Sequence, residues 1–268
     1  MDQEKDLASL FPNIASQLRN TLGTLHLAAA RLVPAAEREQ NPELDKKAAL
    51  LDQSYYQMLR MVNSLSSAAY LTDDAPLPLQ NRDLVALVGN ICDKAGDLAP
   101  LLGLDLKFIC VPDTHICAVA PDAVEQLLYH LLSNAFKFTP AGGTVTVELR
   151  FTANFVLLSV TDTGCGIPEE HLPMLFDRYL HKDQMDPAPH GLGLGLPVCR
   201  CLAERQGGVL MAESRVGKGS RFTVSLPDRQ VDSGVSDIPF DYAGGFNRTL
   251  LALADALPVS AFLVRNQS

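Results

Sequence analysis

Asn134 carries an amide oxygen, a hard ligand suited to Mg²⁺ that also holds phosphates, and Lys137 lies one helical turn further on, where its ammonium can meet the same anion. Asp162 ends an apolar run and is followed by Gly164 and Gly166. A carboxylate there can accept a hydrogen bond from an exocyclic amine, which distinguishes adenine from guanine, while the glycines let a flat base approach the backbone. Gly191-Leu192-Gly193-Leu194-Gly195 opens a helix whose free N–H groups and positive dipole end suit a phosphate, and Gly217-Lys218-Gly219-Ser220 turns tightly into a strand that shapes the pocket floor. One glycine triplet alone is weak, because turns use glycine wherever φ is positive. Four spaced segments in an order that builds one nucleotide pocket carry the argument together.

These residues need a scaffold. Asp83 can cap a helix that runs to about residue 98, a short strand follows at 106–111, and a second helix covers 122–138 before Thr139-Pro140 stops it. Strands are expected at 144–150 and 155–161, joined by a hairpin at Ala153-Asn154, with Val145, Val147 and Leu149 alternating against polar neighbours. Helical segments at 169–179 and 194–206 precede strands at 209–213 and 221–226. Helices with a mostly antiparallel sheet predict a two-layer α/β sandwich, and the chain as a whole is α+β.

Ahead of the sandwich, Leu7, Phe11, Ile14, Leu18, Leu25 and Leu32 follow a four-three spacing that Thr21 and Ala28 interrupt, and Pro34 closes that helix. A polar loop, 37–42, leads to a second run in strict heptads: Leu44, Ala48, Leu51, Tyr55, Met58, Val62, Leu65 and Ala69. The two helices form an antiparallel hairpin whose seam one hairpin cannot bury, and dimerisation into a four-helix bundle resolves this. The alternative is a hairpin folded onto its own globular domain. The expected organisation is a hairpin over 1–72, a Pro-containing linker over 73–82, a nucleotide-binding domain over 83–227 and a tail over 228–268. The tail carries an apolar stripe, Phe246, Leu250, Leu251, Leu253, Ala254 and Leu257, that docks on this domain, its dimer mate or a partner; an exposed stripe being a liability, docking on the chain itself is favoured.

Composition narrows the class. The 268 residues carry a formal net charge of −9 and 47% hydrophobic residues, enough for a proper core and opposed to binding nucleic acid or an anionic membrane. Six cysteines form no CxxC or His/Cys metal spacing, which suits a reduced cytoplasmic compartment. The charged start, Met1 to Asp6, is unlike a signal peptide, and no stretch has the apolar length for membrane insertion.

On these motifs the chain resembles the ATP-binding domain of sensor histidine kinases, within the ATPase superfamily shared with gyrase, Hsp90 and MutL. Leu131 to Pro140 is similar to the family's asparagine box, Asp162 to Gly166 to its first glycine box, and Leu175-Phe176-Asp177-Arg178-Tyr179 to its phenylalanine box. Gly191 to Leu196 and Gly217 to Phe222 are similar to the second and third glycine boxes. The resemblance covers about 83–227. It implies ATP and Mg²⁺ as cofactors, with Asn134 on the metal and Asp162 reading adenine. It also implies nucleotide contacts at Lys137, Gly164, Gly166, Ile167, Arg178, Gly191, Leu192, Gly193, Leu194, Gly195 and Ser220. A lid between about 168 and 190 would bring Arg178, His181 and Lys182 toward the phosphates, unless they are solvated surface. His130 departs from the family, in which asparagine is common at that place; it can position a water or proton, or be a satisfied structural histidine.

The hairpin also resembles the family's dimerisation and phosphotransfer domain, but Ala15-Ser16-Gln17-Leu18-Arg19-Asn20-Thr21-Leu22 stands where Ser-His-Glu-Leu-Arg-Thr-Pro-Leu is expected. The acceptor histidine is Ser16 and its neighbouring acid is Gln17, and a serine hydroxyl with no base is a poor nucleophile at neutral pH. Asn20 matches the position that orients a hydrolytic water on a partner's phosphoaspartate, and His26 reads as surface. The implied protein is a cytoplasmic histidine-kinase-like homodimer working with a response-regulator receiver domain in two-component signal transduction, with autophosphorylation lost at the usual position. A noncatalytic ATP-dependent binding module, a response-regulator phosphatase and an anti-sigma-type serine kinase remain as alternatives.

Overall fold

A computed structural model describes residues 2–71, 76–177, 193–232 and 247–266, apart from the side chains of 2–12, 68, 69 and 265. The hairpin forms as expected, with α1 (Asp2–Leu32) and α3 (Pro42–Ser67) packed together. The polar stretch between them is not a plain loop: α2 (Ala35–Gln40) occupies it. Arg38 holds that turn in place through Nε to Asp45 Oδ1 at 2.9 Å and Nη1 to Asp52 Oδ2 at 2.7 Å, partners supplied by α3 rather than by local sequence. His26 is likewise more than surface, since its ring stacks on Tyr55 with centroids 4.2 Å apart.

The heptad seam divides in two. Ala48, Tyr55 and Val62 are buried together with Ala15 and Leu22 of α1, whereas Ile14, Leu18, Leu25, Leu32, Leu51 and Met58 remain exposed. The hairpin therefore buries one edge of its apolar surface and leaves the other uncovered. Leu7, Phe11 and Ala69 lie outside the described side chains.

The sandwich begins with a two-stranded ribbon absent from the sequence expectation, β1 (Gln80–Asp83) paired antiparallel with a strand at Ile116–Val119. Asp83 caps α4 (Leu84–Gly96), its carboxylate accepting from the N–H groups of Val85 and Ala86. Next come β2 (Asp105–Cys110), β3 (the ribbon strand Ile116–Val119), and α5 (Pro121–Phe138). Then β4 (Thr144–Phe151), β5 (Phe155–Asp162), α6 (Gly195–Glu204), β6 (Val209–Arg215) and β7 (Gly219–Pro227) complete the domain. Five strands form one sheet in the order β2-β4-β5-β7-β6, antiparallel throughout except for β2 beside β4.

Alternation builds the core. Val145, Val147 and Leu149 of β4 lie beside Val156, Leu158 and Val160 of β5 and Phe222, Val224 and Leu226 of β7, all buried under the helical layer. The opposite face is polar, with Arg221 Nη2 3.1 Å from Glu148 Oε2 and Ser159 Oγ 3.0 Å from Thr223 Oγ1. The expected helix over 169–179 is a 3₁₀ turn at Glu169–Met174, with Pro173 inside it.

The C-terminal segment docks on the chain itself. The short helix α7 (Arg248–Leu253) and the turns after it bury Leu250, Leu253, Ala254, Leu257, Ala261 and Phe262 against α3 and α5. Asn247 caps α7 by accepting from the N–H of Leu250. Among the described residues no helix is long and apolar enough to cross a membrane.

Candidate nucleotide site

The helix α5 carries the chemistry along one stripe. His130, Asn134 and Lys137 are spaced four and three residues apart, which places them on one helical face. Leu127, Leu128, Leu131 and Leu132, with Ala135 and Phe136, fix that face by burying the others in the core. All three stripe residues line a cavity of about 230 Å³ together with Asp162, Gly166, Ile167, Gly193, Leu194, Gly195 and Ser220. Gly164 adjoins it through its N–H, which donates to Asp162. The structure thus brings the sequence-predicted residues of α5, β5, the start of α6 and the start of β7 to one place. Arg178, Gly191 and Leu192, like His181 and Lys182, lie outside the described residues.

Asp162 is fixed by the backbone at both ends of the pocket floor. Its Oδ1 accepts from the N–H of Gly164 at 2.8 Å and of Ser220 at 3.2 Å, so the other oxygen remains available to a donor that a ligand brings. Burial raises its pKa from the ordinary carboxylate value, and the two backbone hydrogen bonds oppose that shift. The turn into β7 then passes so close to β5 that a Cβ at Gly219, where φ is +92°, would collide with the Asp162 carbonyl oxygen. Gly217 N–H donates to the Cys165 carbonyl at 2.7 Å and ties the two glycine-rich turns together.

His130 is neutral. Burial holds its pKa down to about 3, and the positive charges of Arg60 and Lys137 add to that effect. Its ring packs against the first residue of α6, where a Cβ on Gly195 would come within 3.3 Å of Nδ1. The helix itself starts at Gly195, the last residue of the glycine-rich run, with Leu194 at the capping position.

Five further residues that no sequence motif marks reach the cavity: Arg60, Met61 and Ser64 of α3, His171 of the 3₁₀ turn, and Asp255 after α7. His171 Nδ1 is buried with no hydrogen-bond partner among the described residues. No local pattern marks these positions, because each reaches the cavity through a long-range packing contact. In contrast, Ser16 and Asn20 are exposed on α1 and do not line the cavity.

A strand-bounded pocket with Asn134 on a helix and Asp162 at a glycine turn defines a class, and the comparisons agree with it. Residues 119–230 match the family described as "Histidine kinase-, DNA gyrase B-, and HSP90-like ATPase", a narrower span than 83–227. This region of the chain is a histidine-kinase-type ATPase domain.

Adaptive-response sensory kinase SasA of a Synechococcus strain is 30% identical over 222 residues, 80% of this chain and 57% of the relative. Sensor protein SrrB of Staphylococcus aureus is 28% identical over 230 residues, 85% of this chain and 39% of the relative. The chain thus spans 57% and 39% of the lengths of these curated relatives. Among solved structures, full-length ShkA in complex with AMPPNP superposes with a TM-score of 0.64 at 24% identity, covering 85% of this chain and 47% of that one. The Acinetobacter baumannii histidine kinase AdeS gives 0.52 at 17% identity, covering 79% and 97%. Both share the fold.

Proposed function

We propose that this protein binds Mg·ATP and acts as a histidine-kinase-like homodimer of two-component signal transduction, without autophosphorylation at the usual hairpin position. The observation that carries the reading is the convergence of Asn134, Lys137 and Asp162 on one cavity edged by three glycine-rich turns. Asp162 would accept from the adenine amine, Lys137 would meet phosphate, and the N-terminal end of α6 would add backbone N–H groups. Among the described residues no group of three or more His, Cys, Asp or Glu is placed to hold a metal. A single amide oxygen from Asn134 suits Mg²⁺, which retains waters and is held mainly through nucleotide phosphates. When bound, that ion would neutralise charge on the phosphate oxygens.

The exposed stripe of Ile14, Leu18, Leu25, Leu51 and Met58 supports dimerisation through the hairpin, which would complete a four-helix bundle. Ser16 supports the loss of autophosphorylation, and Asn20, exposed nearby, leaves hydrolysis of a receiver-domain phosphoaspartate as the reaction the hairpin surface best suits. A second reading, an ATP-dependent conformational module with no turnover, is favoured by the packing of Arg60 and Met61 of the hairpin against the nucleotide cavity.

The test is equilibrium binding of ATP with Mg²⁺ followed by incubation with γ-labelled ATP. Binding with no acid-labile label on the chain is expected. Absence of binding would remove the reading, and phosphohistidine on the unmodified chain would overturn the loss of autophosphorylation.

A further inference from the structure

Three charged residues remote in sequence meet at the edge of the nucleotide cavity: Arg60 from α3, Lys137 from α5 and Asp255 from the turn after α7. A single oxygen, Asp255 Oδ2, lies 3.1 Å from Arg60 Nε and 3.3 Å from Lys137 Nζ. The three side chains are only 11%, 14% and 14% exposed, so the cluster is largely withdrawn from bulk water. Arg60 also donates through Nη2 to Ser133 Oγ at 2.9 Å and through Nη1 to the Ala252 carbonyl. Burial lowers the pKa of both cations, and the Asp255 carboxylate opposes that shift in each.

Two buried cations sharing one carboxylate have the charge pattern of an anion site whose anion is supplied by the chain. We propose that Arg60 and Lys137 form a two-cation subsite for the nucleotide's phosphates and that Asp255 fills this subsite while the C-terminal segment is docked, so that docking and phosphate binding compete. The inference rests on the reading of the cavity as a Mg·ATP site and adds its regulation.

Electrostatics sets the direction. A phosphate approaching Lys137 meets Asp255 as a like charge, while withdrawal of Asp255 leaves two buried like charges that an incoming phosphate satisfies through charge-assisted hydrogen bonds. The coupling is reciprocal: whatever releases the segment raises nucleotide affinity by the factor by which nucleotide loosens the segment. The segment is also fastened to the hairpin. Gln53 Nε2 donates to the Leu257 carbonyl at 2.9 Å and Arg38 Nη2 to the Phe262 carbonyl at 3.0 Å. Displacing Asp255 therefore loosens α3 from α5 and carries nucleotide occupancy to the hairpin.

The test uses the full chain, Mg·ATP titration calorimetry and hydrogen exchange across residues 247–266. Asp255→Asn, which preserves shape and removes the charge, is expected to bind Mg·ATP about tenfold more tightly, and Arg60→Gln in that background to reverse the gain. In the unmodified chain, saturating Mg·ATP is expected to raise exchange across residues 247–258, a readout that needs no variant. Equal binding by the unmodified chain and Asp255→Asn, or a tail whose exchange ignores saturating nucleotide, overturns the competition and leaves the ATP reading standing. Failure of every form to bind overturns that reading and the competition with it.

Discussion

Asp162 Oδ1 accepts the backbone N–H of Ser220 at 3.2 Å, joining the end of β5 to the start of β7 across 58 residues of chain. The same oxygen accepts Gly164 N–H, so one carboxylate oxygen organises the floor and the other would serve the proposed nucleotide. Structure and recognition are thus divided between two atoms of one side chain, and a substitution can separate them.

Asp162→Asn retains an acceptor for Gly164 and Ser220 but presents an amide N–H₂ where adenine's amine would donate. ATP affinity is expected to fall by at least about tenfold, the equivalent of about 1.4 kcal/mol, with the thermal midpoint nearly unchanged. Calorimetric titration beside a melting curve checks both halves. An unaffected affinity would show that Asp162 organises the turn without reading the base.

Glycines 217 and 219 both have positive φ, +73° and +92°, yet they predict different costs. A Cβ at 217 meets nothing within 4 Å, while one at 219 runs into the Asp162 backbone. Gly217→Ala should cost only left-handed backbone strain, about 1–2 kcal/mol. Gly219→Ala adds a collision between two strands and should exceed it, by about 1 kcal/mol or more. Urea unfolding of both variants orders them, and equal costs would contradict the close approach.

The parts of the site legible in the sequence are those held by local pattern. Asn134 and Lys137 ride on a helix whose leucine spacing is strong, and Asp162 ends an apolar run that pairs with the cleanly alternating β4. The ribbon of β1 and β3 was illegible because Gln80-Asn81-Arg82-Asp83 is wholly polar and pairs across a separation that periodicity does not register. No local pattern marks the helix α2, because Arg38 owes its order to Asp45 and Asp52 of α3. Asp255 is a single acid in an apolar stretch, and only the docking of α7 gives it Lys137 and Arg60 as neighbours.

The hairpin predicts an assembly. Leu25 and Met58 are 60% and 41% exposed on the uncovered edge of the hairpin, so Leu25→Glu with Met58→Glu should leave each chain folded. Sedimentation velocity should change from dimer to monomer while the far-ultraviolet circular dichroism is retained. A dimer that persists would move the interface away from this stripe.

His130 predicts an acid limit. Its pKa in the folded state is held at about 3, against 6.5 for an ordinary exposed imidazole, so the unfolded chain binds the proton more readily between those values. Stability contributed by the neutral ring is fully present above pH 6.5 and is lost as pH falls toward 3, by up to about 1.4 kcal/mol per pH unit. Asp162 acts in the opposite sense: burial raises its carboxyl pKa, so its protonation on acidification relieves part of the cost of a buried charge. Comparing unfolding free energies of the unmodified chain and His130→Asn from pH 7 to 4.5 isolates the histidine, because Asp162 is common to both. The asparagine variant is expected to show the shallower decline, with the two curves converging toward acid. Parallel curves would mean that His130 is solvated enough to titrate normally in the folded protein, and the neutral imidazole against Gly195 would then have to be abandoned.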